Sequence, residues 1–219
     1  MNEPIKLIIG NRNYSSWSLR PWILAQHLGL QLEVMRISLD TPTFKSEALA
    51  FSPTARVPVL IHGDLAIPES IAIMEYLSEI AHDGGWPEAR ETRARARALA
   101  AEMHAGFPVL RASYPMNIRA RQRQVAITPS LAAEISRIND IFSSATQDAS
   151  QTGWLFGRYS IADAMFLPVA LRFKTYGTTG LSGFAMAYIE QAVSDPLLAQ
   201  WIRDAHEESE ALSGEEVGL

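Results

Sequence analysis

The chain has 219 residues, 47% of them hydrophobic and 20% charged, with a formal net charge of -5 at pH 7. That length can bury one large core or two smaller ones, and the acidic balance speaks against nucleic acid as a partner. The absence of cysteine removes disulfides, thiol nucleophiles and thiolate metal sites together.

The segment Met1–Lys6 lacks the basic-then-apolar pattern of a secretory leader, and no apolar run reaches the ~18–20 residues that span a bilayer. The expectation is a soluble, cytoplasmic protein that binds no membrane. Leu7-Ile8-Ile9-Gly10 has the length and bounding of a buried strand, and Ile23, Leu24, His27 and Leu28 follow at helical spacing up to Gly29. Between them lies Asn13-Tyr14-Ser15-Ser16-Trp17-Ser18-Leu19-Arg20-Pro21-Trp22. With Ser18 as N-cap, Pro21 takes the third helical position, where its missing N–H costs nothing. Ser15 and Ser16 then sit just ahead of the helix in the positive field of its start. A hydroxyl there can donate to an anion or a thiolate; the plainer reading is one capping serine and two loop residues.

Leu32–Ser38 alternates as a strand, and Thr43–Ala50 reads as a short helix. Val57–Ile61 and Leu65–Pro68 form a hairpin across His62-Gly63-Asp64, and Ser70 caps a helix bearing Ile71, Met74 and Leu77. This makes residues 1–82 a compact α/β unit. Asp83-Gly84-Gly85-Trp86-Pro87 begins a linker over 83–88, and 89–219 is all helical. A helix from Glu88 to about Leu110 should kink at Pro108. Its Arg93-Ala94-Arg95-Ala96-Arg97 run, flanked by Glu88, Glu91 and Glu102, reads as a solvated face. Further helices are expected from Ser130 to about Ala145, from the capping box Ser160-Ile161-Ala162-Asp163, over Phe184–Val193 and over Pro196–Glu210. The tail Ser213–Glu216 is expected to fray.

Four stretches, in this order and spacing, resemble the cytosolic glutathione transferases over the whole chain. Tyr14–Arg20 resembles the Ser-Ser-Cys-Ser-x-Arg turn of the zeta class, with Trp17 where the cysteine would be. Arg56-Val57-Pro58-Val59-Leu60 resembles the family's Val-Pro element, whose proline follows a cis bond. Glu69–Leu77 resembles the Gln/Glu-Ser helix start that holds the γ-glutamyl end, and Ser160–Asp163 resembles the capping box of the buried sixth helix. The resemblance implies a thioredoxin-like first domain, an all-helical second domain that forms the electrophile pocket, and a homodimer.

It also implies roles for residues. Ser15, with Ser16 as the alternative, would donate to the thiol of glutathione, the co-substrate. That thiol has a pKa of about 8.5 when unperturbed, and each unit of depression needs ~1.4 kcal/mol of thiolate stabilisation. Val57, ahead of a cis Pro58, would pair with the cysteinyl backbone. Ser70 and Glu69 would take the γ-glutamyl carboxylate and ammonium, and Thr43, Lys45 or Arg56 the glycyl end. Tyr14, Met103, Phe107, Arg111, Tyr114, Arg172 and Phe173 are candidates for the pocket of the small electrophile. Core packing is the plainer reading for the aromatics and Met103, whereas Arg111 and Arg172 could clamp a carboxylate. Histidine spacing suggests no metal, and His104 and His206 read as surface or core-edge residues. Conjugation of small electrophiles is the expected activity. A maleylacetoacetate-type cis-trans isomerase of the zeta kind and a non-catalytic glutathione-binding scaffold are the alternatives.

Overall fold

The computed structural model describes residues 3–82, 84–146 and 153–218. Met1, Asn2, the linker's Asp83 and the terminal Leu219 lie outside the described residues. Strands β1 (Ile5–Ile9), β2 (Leu32–Arg36), β3 (Val59–His62) and β4 (Leu65–Pro68) form one sheet in the order β2-β1-β3-β4. β1 runs parallel to β2 and antiparallel to β3, with Ile8 opposite Val59. This is a thioredoxin-like mixed sheet followed by a helical region, as expected.

The continuous apolar run of β1 follows from its burial on both faces. Leu7 and Ile9 join Leu19 and Ile23 of α1 (Ser16–His27) and Ile73, Met74 and Leu77 of α3 (Ser70–Ile80). Ile8 points the other way, into a smaller cluster with Ile37, Val59 and Ala48 of α2 (Phe44–Leu49).

Two expected helix starts move. α1 begins at Ser16 with Ser15 in the N-cap position, because the Ser18 hydroxyl accepts the Gly10 N–H at 3.2 Å and does not cap. Pro21 is therefore inside the helix, where it cannot supply the N–H that would reach the Trp17 carbonyl. Ser70 is the first residue of α3 and Glu69 precedes it with φ +71°, a conformation uncommon for a residue with a Cβ.

The segment after α3 is docked. The Gly85 N–H donates to Ser78 Oγ at 3.1 Å, its carbonyl accepts the Ile161 N–H at 2.9 Å, and Trp86 Nε1 donates to Glu75 at 2.8 Å. A Cβ on Gly85 would lie 2.8 Å from the Ser78 Cβ, so this approach needs glycine.

The expected kinked helix is two helices, α4 (Arg90–Ala105) and α5 (Pro108–Ser113), with Phe107 left-handed between them. Pro108 fits at the first position of a new helix and would break an old one. After α6 (Pro129–Thr146) comes α7 (Ile161–Tyr176), buried along its whole length except Lys174. Its capping box is formed in both directions. The Asp163 carboxylate accepts from Leu155 N (2.9 Å), Tyr188 Oη (3.1 Å), Ser160 N (3.0 Å) and Ser160 Oγ (3.1 Å). α8 (Gly183–Val193) and α9 (Ala199–Glu207) complete the helices, with a 3-10 turn at Pro196–Leu198 where α9 was expected to start.

The expectation of a frayed tail is corrected. Ser213–Glu215 forms a 3-10 turn. The Glu216 carboxylate accepts from Tyr14 Oη at 2.7 Å, Asn117 Nδ2 at 2.8 Å and Arg123 Nη2 at 2.5 Å. Upstream, the Glu208 carboxylate takes the Arg12 and Asn13 N–H groups at 2.7 and 3.1 Å, and Arg119 donates to the Glu208 and Glu210 carbonyls. Carboxylates between 208 and 216 thus satisfy the turn between β1 and α1, which has no ladder to bond into.

Candidate functional site

A cavity of about 720 Å³ opens where the β1–α1 turn, the approach to β3, the start of α3 and the helices α4, α5 and α7 meet. Among the expected site residues, Tyr14, Ser15, Ser16, Arg56, Val57, Pro58, Glu69, Ser70, Arg111 and Arg172 line it together. Thr43, just ahead of α2, and Lys45 on it are exposed and do not line it; Phe44 between them does. Met103, Phe107, Tyr114 and Phe173 are buried in the main core instead, each packed by the apolar stripes of α4 and α7, so their core reading is the one the structure supports.

At the head of α1 the hydroxyls are arranged in series. Ser18 Oγ accepts the Gly10 N–H and lies 2.7 Å from Ser15 Oγ. When Ser18 gives its own proton to Ser15, the Ser15 proton is left for the cavity, and a donor that is itself an acceptor is strengthened. Ser16 Oγ accepts from Arg172 Nη2 at 3.3 Å and likewise keeps its proton free. The Tyr14 hydroxyl is committed elsewhere, to Glu216 and Arg119.

Beneath the serines the guanidinium of Arg20, fully buried, bonds the Met165 and Ser16 carbonyls at 3.0 and 2.9 Å. Arg172 bonds the Tyr114 and Pro168 carbonyls at 2.7 and 3.1 Å. The Trp17 ring lies against Arg20 at 4.0 Å and Arg111 at 5.5 Å. Burial, with the neighbouring guanidiniums adding to it, holds Arg20 well below its ordinary pKa; burial brings Arg172 down to about 10. At about 10, Arg172 stays charged at neutral pH.

Across the cavity, Val57–Pro58 is a cis peptide, and Val57 lies outside the β1–β3 ladder, whose pairing stops at Val59. Among the described residues the Ser70 hydroxyl, buried at the start of α3, has no partner, and the N–H groups and dipole there favour an anion. Glu69, in its strained conformation, places a carboxylate beside it, 3.9 Å from His104 Nε2.

Sequence reasoning missed several walls of this cavity: Leu39, Phe44, Thr54, His104 and Glu215. His104, read as surface or core edge, faces the edge of Trp17 with ring centroids 5.4 Å apart. Nothing local marks Glu215, which arrives on the tail. Among the described residues no cluster of histidines and carboxylates could hold a metal ion, and no helix is long and apolar enough to cross a membrane.

Residues 14–80 match the family model described as glutathione S-transferase, N-terminal domain. A curated relative, glutathione S-transferase U13 of Arabidopsis thaliana, is 37% identical over 92 residues, which are 39% of this chain. The match spans about a third (35%) of that relative's length. A solved structure of a glutathione transferase homolog from Burkholderia, with bound glutathione, is 25% identical with a TM-score of 0.73, covering 94% of this chain and 100% of that one. A tau class glutathione S-transferase from mango, Mangifera indica, is 20% identical with a TM-score of 0.72 over 93% and 96% of the two chains. The theta class enzyme of Xanthomonas axonopodis pv. citri, with glutathione bound, is 20% identical with a TM-score of 0.66 over 92% and 98%. The fold is that of the glutathione transferases, and residues 14–80 carry the sequence match to their N-terminal domain. The zeta-like class expected from the serine turn is not the class of either of the last two.

Proposed function

We propose that this chain is a glutathione transferase that activates the tripeptide's thiol through the Ser15 hydroxyl and joins it to small electrophiles. The observation that carries this reading is the hydroxyl series at the head of α1, opening into the same cavity as the unpartnered Ser70 and the cis Val57–Pro58. Glutathione would lie across the cavity with its γ-glutamyl carboxylate on Ser70 and the α3 start, and its ammonium on Glu69. Its cysteinyl backbone would lie against Val57 and its glycyl carboxylate toward Arg56. The sulfur then reaches the α1 start, where the Ser15 proton and the helix dipole favour the thiolate. The thiol proton leaves to solvent, and the sulfur lone pair forms the new bond to the electrophilic carbon as the leaving group or π bond takes up the displaced pair. Ser16 stands as the alternative donor.

Titration of the bound thiol by its thiolate absorbance tests this. The midpoint is expected about one to two pH units below the ~8.5 of an unperturbed thiol. A midpoint equal to that of free glutathione would leave a binding protein without catalysis. Ser70→Ala should raise KM for glutathione about tenfold while kcat changes little, since it removes a contact made equally before and during the reaction. Equal losses in kcat and kcat/KM would place Ser70 in the chemistry instead.

The isomerase alternative uses the same turn, adding and releasing glutathione at a double bond. Turnover of maleylacetoacetate by the purified protein decides between the two. The reading includes a cytoplasmic homodimer, which a monomeric mass at micromolar concentration would contradict.

A further inference from the structure

Three guanidiniums converge beside the serine turn, and among the described residues none touches a carboxylate. Arg20 and Arg172 spend their hydrogen bonds on carbonyls and the Ser16 hydroxyl. Arg111 is more exceptional. Among the described residues its side chain makes no hydrogen bond or ion pair, its Nε is buried without an acceptor, and its contact is the face of Trp17. Its charge is felt by both other arginines, which it pushes toward deprotonation.

The carboxylate facing this group is Glu215, on the tail turn. It lines the same cavity and acts on Arg172 electrostatically, yet forms no ion pair with it. Burial raises its pKa, as expected of a carboxylate that has lost water without gaining a close cation. Glu215 has no side-chain hydrogen bond among the described residues, and the tail is held by its neighbour Glu216. Beside the serine turn three buried or half-buried guanidiniums face Glu215 without pairing with it, while the cavity's other carboxylate, Glu69, stands at the start of α3 near His104; such charges are stable when paired.

We propose that Arg111 and Arg172 form a subsite for a carboxylate on the electrophile. Glu215 stands at its rim as the protein's own competing carboxylate, and sets how strongly acidic acceptors are preferred over neutral ones. A planar carboxylate suits the forked donors of Arg111, while Arg172, each of whose nitrogens already makes one bond, adds its charge and its remaining Nη protons. The proposal rests on the transferase reading above and names its substrate class. It makes Glu215 specificity-determining through charge alone, because its removal leaves the tail anchored by Glu216.

The experiment compares ethacrynic acid with its methyl ester as acceptors at fixed glutathione. The acid-to-ester ratio of kcat/KM is expected to fall about tenfold in Arg111→Met and to rise about threefold in Glu215→Gln. A ratio moving less than about twofold in both would overturn the proposal. If the wild type turns over neither compound, the transferase reading fails and the subsite is judged by binding, read as tryptophan fluorescence in the presence of glutathione. Preference for the acid that disappears in Arg111→Met sustains the subsite, and equal affinity for acid and ester in the wild type overturns it.

Discussion

Ser15→Ala is expected to lower kcat/KM for conjugation about tenfold at pH 6.5 and to move the midpoint of the pH–rate profile up by about one to two units. Losing the hydroxyl donor removes the thiolate stabilisation that sets the bound pKa, and two units would cut the thiolate fraction about a hundredfold. The thiolate that still forms is more basic and more nucleophilic, which returns roughly tenfold of that loss. The net loss is therefore modest at low pH and vanishes as pH rises past the new midpoint. Glutathione affinity should change little, since Ser70, Glu69 and Val57 are untouched. Steady-state kinetics across pH check this. A variant with an unmoved profile would transfer the role to Ser16, whose hydroxyl is held by Arg172 at 3.3 Å.

Asp163→Ala is expected to destabilise the fold by about 3–5 kcal/mol, read from the shift in denaturant midpoint. The carboxylate is 1% exposed and takes four donors from Leu155, Ser160 and Tyr188. Alanine orphans all of them, including the cap of the most buried helix. Asp163→Asn isolates the charge. Burial raises the folded pKa of Asp163 to about 6, against the pull of its hydrogen bonds, so the folded state binds this proton more tightly than the unfolded one. Its contribution is thus full below about pH 4 and lost as pH rises through 6. The stability of the wild type relative to Asp163→Asn should fall by about 2.5 kcal/mol between pH 4 and 7, and a flat difference would show that the carboxylate titrates alike in both states.

Local pattern was enough for elements whose cause is local. The run Leu7–Ile9, the hairpin across Gly63-Asp64 and the Ser160–Asp163 capping box are set by residues within a few positions of one another. The start of α1 was misplaced because Ser18, a good cap by type, gives its hydroxyl to Gly10 and Ser15 instead. One helix became two because the tolerance of a proline depends on which turn it lands in, and Phe107 absorbs the break. In the site, the residues on the serine turn, the Val-Pro element and the α3 start come together as expected, since each motif is compact and its strand or helix aims it. The pocket's far wall was less legible. Met103, Phe107, Tyr114 and Phe173 look the same in sequence whether they face a cavity or a neighbouring helix. Glu215 reaches the site from two hundred positions away, and no periodicity encodes such a meeting.

The hold of Glu208 on Arg12 and Asn13, and of Glu216 on Tyr14, bears on the order of assembly. The segment that would present the reactive hydroxyl is made about two hundred residues before the carboxylates that brace it. During synthesis the sheet and its helices can form from contacts already available, but that loop waits unbraced until residues 208–216 are delivered. Contacts so far apart along the chain are slow to form, so competence for chemistry should be the last property a newly made molecule acquires.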